Sequence, residues 1–514
     1  MGTLLIVVWA QFGGRSWRVT RFRGREFGVS EQERRTTQGA DYENVGTEYL
    51  EQRQLQKGAA GWVLLAGLGV AYVISGDFAG WNFGLAEGGW GGLLIATLLM
   101  ATMYTAMVFS LAELSSTIPT AGGGYGFARR AMGPWGGFLT GTAILIEYAI
   151  APAAIATFIG GYVESLIGIG GWIVYLAVYL IFVGIHLYGV GEALKLMFAI
   201  TAIAVVALAA FVIGMIPQFE PSNLFNIDPT SAAGASSFLP FGVVGIWAAL
   251  PYAIWFFLAI EGVPLAAEES RDPTRDMPRG LIAGMMALLI FAALILVFGP
   301  GAAGSAAIQG SANPLPLAVE KAYGGGNALS TFVNIAGLAG LIASFFSIIF
   351  AYSRQTFALS RAGYLPRLLS VTGGRRTPWS ALVVPGVVGF LLTLLPPEVT
   401  GNGAILINIA VFGATISYVL MMLSHIVLRR REPDLERPYR TPGGVLTSGV
   451  ALALGVLAVI ATFIVDERAA FITLGVYVLF IAYFGLYSRH HLVAQAPEEE
   501  FATIEKAESE LAGS

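Results

Sequence analysis

The sequence predicts an all-α membrane protein of about twelve transmembrane helices, built as a five-plus-five inverted repeat whose first and sixth helices are broken. Three observations predict it. The 514 residues are 56% hydrophobic and only 12% charged, with a mean hydropathy of +0.70, whereas a soluble domain carries about 25% charged residues. Apolar runs long enough to cross a bilayer recur along the chain. Two of these runs carry an acid beside glycine or proline, and broken helices of that kind line binding sites near the membrane midplane.

The twelve segments fall roughly at 60–85, 91–112, 134–162, 170–189, 195–216, 241–265, 280–302, 329–352, 379–396, 403–428, 445–465 and 469–488. Basic residues test this map. With a cytoplasmic N-terminus, the loops on that side and the C-terminal tail hold 18 of the 29 Lys and Arg. They include Arg129, Lys195, Arg271, Arg275, Arg279, Arg354, Arg361, Arg376, Arg430 and Lys506. The opposite side has Lys321 and Arg468, and nine lie in the N-terminal tail. Positive charge concentrates on the cytoplasmic side, so both termini are expected inside, in a multi-pass inner (plasma) membrane protein.

The chain then divides into an N-terminal cytoplasmic tail at 1–57, a transport core of ten helices at 58–430, two further helices at 431–488 and an acidic cytoplasmic tail at 489–514. The run Thr3 to Ala10 lacks a basic flank and is too short to span or to read as a signal peptide. Arg15, Arg18, Arg21, Arg23 and Arg25 suit contact with anionic lipid, although a disordered tail or an upstream start codon is the simpler reading. Glu498 to Glu500 and Glu505 to Glu510 read as a solvated acidic tail.

Several function classes are excluded. Cysteine is absent, which removes disulfides, iron–sulfur clusters and thiolate chemistry. His186, His425, His490 and His491 show no metal-ligand spacing, so neither a metal nor a cofactor is expected. The basic residues sit in short loops between spans, which excludes nucleic acid as a partner. Gly122 to Gly126 lack the Gly-Lys-Ser/Thr of a phosphate loop and read as a turn.

Asp77 is the leading candidate residue. It lies in VISGDFAGWNFGL (Val73 to Leu85), between Gly76 and Gly80 and beside Ser75. A carboxylate at membrane depth costs a few kcal/mol and by default faces a cavity, a partner or a substrate. The structural alternative is a cap on the half-helix after the break. In carriers of zwitterions that bare helix start holds the substrate's carboxylate. A protein carboxylate there instead implies a substrate with an ammonium and no acid, a small cationic amine.

Glu261 is the second intramembrane acid, followed by Gly262 and Pro264, which interrupt the sixth segment. Trp255 and Phe257 precede it and offer aromatic faces to an ammonium group. Glu147 and Tyr148 lie in the third segment, Glu147 being a candidate for substrate, proton or structural contact. Ser344 and Ser347 in the eighth are candidate sodium ligands together with carbonyls of the first break, so Na+ and H+ are the candidate coupling ions. Glu268 and Glu269, beside Arg271 near the membrane edge, are expected to form a cytoplasmic gate.

Taken together, the residues resemble the amino acid–polyamine–organocation permeases. AELSSTIPTAGGGYGFARRAMGPWGGFLTG (Ala112 to Gly141), AAEESRDPTRDMPRG (Ala266 to Gly280) and SRQTFALSRAGYLPRLL (Ser353 to Leu369) carry the resemblance, which covers roughly residues 58 to 490. VISGDFAGWNFGL and FFLAIEGVPLAAEE are most similar to the bacterial ethanolamine permeases. That resemblance implies a leucine-transporter-like fold and ethanolamine uptake by alternating access. The chain departs from the family's amino acid carriers, which have no acid in the first break. It also lacks, over Leu196 to Phe219, the lysine that some proton-coupled members carry in helix five. The alternatives are a permease for zwitterionic amino acids or other small amines, a membrane-embedded enzyme, for which no nucleophile or metal motif is present, and a transport-like sensor.

Overall fold

A computed structural model describes residues 35–37, 39–43, 45, 49, 60–120, 122–188, 190–373, 377–396, 403–494, 496 and 499, with backbone alone at 35–37 and 190–196. The readings made for Thr3 to Ala10, for Arg15 to Arg25, for Arg376 and for Glu505 to Glu510 lie outside these residues. So do the side chain of Lys195 and residue Lys506.

The chain is almost wholly helical. In order come β1 (Arg35–Thr37), β2 (Ala40–Glu43), α1 (Trp62–Val73), α2 (Ser75–Phe78), α3 (Phe83–Thr117) and α4 (Gly124–Ile167). Next are α5 (Trp172–Tyr188), α6 (Val190–Met215), α7 (Gly242–Trp255), a 3-10 helix at Ile260–Glu269 and α8 (Pro273–Ala303). The short α9 (Ser305–Ile308) and α10 (Pro314–Tyr323) precede α11 (Ala328–Arg361), α12 (Trp379–Thr393), α13 (Ala404–Arg431), α14 (Val445–Val465), α15 (Glu467–Leu486) and β3 (Leu492–Val493).

Among the described residues nine helical spans are long and apolar enough to cross a membrane. The other three expected segments fall on the shorter apolar helices α1, α5 and α12. Local chemistry sets several boundaries. Pro273 opens α8, where its missing N–H costs nothing. Asn327 and Ser330 form a reciprocal capping box at the start of α11. The Asp466 carboxylate accepts from the Ala469 N–H at 3.0 Å and caps α15.

The core is a single layered bundle. α4 packs along α11 and α13, α3 against α7 and α8, and α1 against α8. Apolar side chains that remain exposed, such as Leu98, Val244 and Leu479, lie on outward faces of these spans, as lipid requires.

The tails depart from expectation. β1 and β2 pair antiparallel and β2 pairs in parallel with β3, so a strand of the N-terminal tail lies against the chain beyond the last span. Glu499, expected in a solvated tail, is 1% exposed. Its carboxylate accepts from Arg129 Nε at 2.6 Å and from the hydroxyls of Tyr42 (3.1 Å), Tyr364 (2.9 Å) and Tyr125 (3.3 Å). Arg367 bonds Glu43 at 2.6 Å and His490 meets Asp41 at 2.6 Å. A buried arginine needs a carboxylate, and the tail supplies it.

Candidate substrate site

The first span runs from α1 through a turn at Ile74 into the short α2, and stops at Phe78. Ile74 keeps right-handed helical angles (φ −57°, ψ −21°) between α1 and α2. Ala79 is extended (φ −161°, ψ 159°), Gly80 turns at φ +98°, and α3 begins at Phe83. The break is therefore at 79–82, beyond Asp77.

This position bears on the two readings of Asp77. A cap would stand at the start of the following helix, but that place is held by Asn82, whose side chain caps nothing. Asp77 instead sits in the four-residue α2, one residue before this half of the span ends. It is fully buried, and neither carboxylate oxygen has a hydrogen-bond partner among the described residues. The end of a helix carries partial negative charge. A buried carboxylate placed there would add to that field.

The second break also differs from its expected place. α7 ends at Trp255, and Ala259 turns at φ +78°, the one non-glycine residue with positive φ among those described. A left-handed alanine costs of the order of 1 kcal/mol, and strain of this kind clusters at functional sites. The interruption thus lies at 256–259 and precedes Glu261, whereas Gly262 and Pro264 are absorbed into the 3-10 helix.

The two breaks touch. The Trp255 indole N–H donates to the Ala79 carbonyl at 3.0 Å, and Phe256 stacks on Trp81 with centroids 5.6 Å apart. A Cβ on Gly80 would lie 2.5 Å from the Trp255 indole nitrogen, and one on Gly76 would collide with the Trp255 carbonyl. These two glycines are what allow the broken helices to meet. Tyr162 of α4 donates to the Phe78 carbonyl at 2.9 Å, which holds the frayed end of the half-helix.

Glu261 is differently placed. Tyr148 donates to one of its oxygens at 3.0 Å and Tyr418 to the other at 3.2 Å, and Tyr104 in turn donates to Tyr418 at 3.0 Å. Glu147 is buried with no hydroxyl or N–H on it among the described residues, and its carboxyl abuts that of Glu261. Phe257 lies against the Tyr104 ring at 5.4 Å. These side chains join spans three, six, ten and two, and the acid here is already solvated by protein.

Ser344 reaches the first half-helix, donating to the Tyr72 carbonyl at 2.6 Å and lying 2.8 Å from the Ser75 hydroxyl. Ser347 does not. It bonds the Ala343 carbonyl at 2.6 Å and the Met197 sulfur at 2.8 Å, on the side of α6. Glu269 and Glu268 pair with Arg354 (2.7 Å) and Arg361 (3.0 Å) of α11. Sequence reasoning missed Tyr104, Tyr162, Tyr418 and Arg354. A mid-span tyrosine has no local signature, although the arginine could have been sought as a partner for Glu269.

Comparison with known proteins agrees with this architecture. The profile of the family described as amino acid permease matches residues 63–489. The chain belongs to the amino acid permease family. This permease is 30% identical over 408 residues to an uncharacterised transporter of Rhizobium meliloti (strain 1021), covering 77% of this chain and 85% of the relative. It is 26% identical to a branched-chain amino acid permease of Bacillus subtilis (strain 168), over 70% of this chain and 78% of that one. A methylthioribose transporter of the same strain is 24% identical, over 72% and 79%. The permease is therefore a multi-pass membrane transporter for a small molecule, and its named relatives are transporters rather than enzymes.

Proposed function

We propose that the permease is a secondary active transporter that imports ethanolamine by alternating access, with twelve spans, an inverted five-plus-five repeat and both termini in the cytoplasm. One observation carries this reading. Asp77 is buried one residue before the first half of the broken span ends, and neither of its oxygens has a hydrogen-bond partner among the described residues, a place that calls for a small cation. Gly76 and Gly80 let the sixth span pack directly beside it, and Trp255 and Phe257 supply aromatic walls in this reading. The likeness of VISGDFAGWNFGL and FFLAIEGVPLAAEE to ethanolamine permeases supports the same substrate.

Glu261, with its two tyrosine donors, serves in this reading as a polar wall of the site. Glu147 is its neighbour in a proton-coupled cycle, whereas Ser344 marks the place for sodium. Glu268 and Glu269 close the cytoplasmic side.

A second reading draws on the relatives. One is named for branched-chain amino acids and another for methylthioribose, so family membership alone leaves the substrate open. A zwitterion would place a second carboxylate near Asp77, and that repulsion argues against it. Uptake of labelled ethanolamine into proteoliposomes, with leucine and methylthioribose as competitors and with imposed sodium, pH and potential gradients, tests both readings. Ethanolamine uptake resistant to both competitors is expected. Leucine uptake without ethanolamine uptake would replace the first reading by the second.

A further inference from the structure

We propose that the permease carries a binding site for one phospholipid with an anionic headgroup, in the groove between the start of α1, the start of α8 and the loop after α13. The groove has a volume of about 560 Å³ and is lined by Trp62, Arg275, Arg279, Ile282 and Tyr439, among others. It lies on the side rich in arginine, at the level where α1 and α8 enter the membrane.

The chemistry of the groove changes along its length in the way a lipid does. Arg275 and Arg279 are one turn apart on α8 and share a face. Arg279 has no acidic partner among the described residues, and Arg275 only approaches the exposed Asp272, at 3.9 Å. Arg130, Arg354, Arg361 and Arg429, by contrast, are each held within 3.0 Å of a carboxylate. Two uncommitted guanidiniums in a groove can grip one phosphate from two directions.

Beyond the arginines the same helix becomes apolar. Ile282 lines the groove, and Met286 and Ile290, spaced by four residues, are 52% and 53% exposed. This stripe continues inward from the charged end, as an acyl chain hanging from the phosphate would run. Trp62, 43% exposed, and Tyr439 flank the charged end, at the depth where amphipathic rings settle in a bilayer. A free phosphate would use the arginines and leave the stripe bare. Basic pockets between helices on the cytoplasmic side suit acidic headgroups.

The test is lipid binding by the purified full-length permease, with retained lipid counted by native mass spectrometry. Phosphatidylglycerol and phosphatidylcholine are offered in equal amounts. The wild type should retain one phosphatidylglycerol in preference to phosphatidylcholine. The pair Arg275→Gln and Arg279→Gln should weaken that retention more than tenfold, and Arg275→Lys with Arg279→Lys should restore most of it. Arg430→Gln with Arg440→Gln, which removes two charges elsewhere on the same side, should leave it unchanged. Inorganic phosphate and glycerol phosphate should not compete. Equal retention by the Arg275/Arg279 glutamine variant would overturn the site, as would retention that ignores headgroup charge. Competition by inorganic phosphate at lipid concentrations would make it a free-anion site instead.

Discussion

Arg354 of α11 grips one oxygen of Glu269 through both Nε (3.2 Å) and Nη2 (2.7 Å), with each side chain less than 5% exposed. Glu269 ends the sixth span and Arg354 belongs to the eighth. The ring of Phe350 lies 4.5 Å from the guanidinium, so the pair is packed as well as charged. Glu268 and Arg361 repeat the connection farther out.

These two pairs are expected to hold the cytoplasmic side shut. Neutralising both acids, Glu268→Gln with Glu269→Gln, should change the transport rate several-fold and leave equilibrium ethanolamine affinity within a factor of about three. Rate comes from proteoliposome uptake and affinity from direct binding in detergent. A loss of affinity beyond tenfold in a monodisperse variant would place the acids in the substrate site.

Asp77→Asn should weaken ethanolamine binding by two or more orders of magnitude. The substitution keeps shape and removes the charge, and breaking a buried ion pair costs about 3–5 kcal/mol, where each 1.4 kcal/mol is about a factor of ten. Because neither Asp77 oxygen has a hydrogen-bond partner among the described residues, the same change should leave the melting temperature unchanged or raise it slightly. Calorimetric binding and thermal unfolding together give the answer. Near-normal affinity in the variant would transfer the counter-ion role to Glu261.

Glu499→Gln should lower stability, since it removes a carboxylate from the buried guanidinium of Arg129, and breaking a buried pair costs about 3–5 kcal/mol. Alkaline solution should not mimic the variant. Burial pushes the phenols of Tyr42 and Tyr364 up, and the Glu499 charge adds to it. Their contribution is therefore fully present below the unfolded value of about 10 and fades only as pH climbs through the higher folded value. Melting temperatures of both proteins between pH 7 and 9 check the two statements at once.

Topology can be tested with single cysteines, because the chain has none of its own. Arg271→Cys and Arg430→Cys should stay unlabelled by an impermeant thiol reagent in intact cells, whereas Lys321→Cys and Arg468→Cys should react. All four positions are exposed. Arg129 and Arg361, which satisfy the charge rule equally well, are buried and would report nothing. Labelling of the first pair from outside would invert the orientation.

What the sequence made legible follows the range of the forces involved. Long apolar runs and intramembrane acids are local, and they located the spans and pointed to Asp77, Glu261 and the pair Glu268 and Glu269. The break positions shifted by several residues, because Gly76 is needed for contact with Trp255 rather than for a turn, and an alanine turns the sixth span. The two tyrosines on Glu261 come from α4 and α13 and leave no pattern in the chain. Glu499 misled for the opposite reason: its acidic neighbours imply solvent, whereas its partner Arg129 lies 370 residues away.

That long separation has a consequence for biosynthesis. Arg129 enters at the start of the third span, but Glu499 follows every span, so the ribosome delivers the counter-charge only after the whole bundle has been made. Until then Tyr125, Arg129 and Tyr364 lack the carboxylate on which all three converge. This cluster is therefore among the last contacts the chain can make, after every helix of the bundle is present.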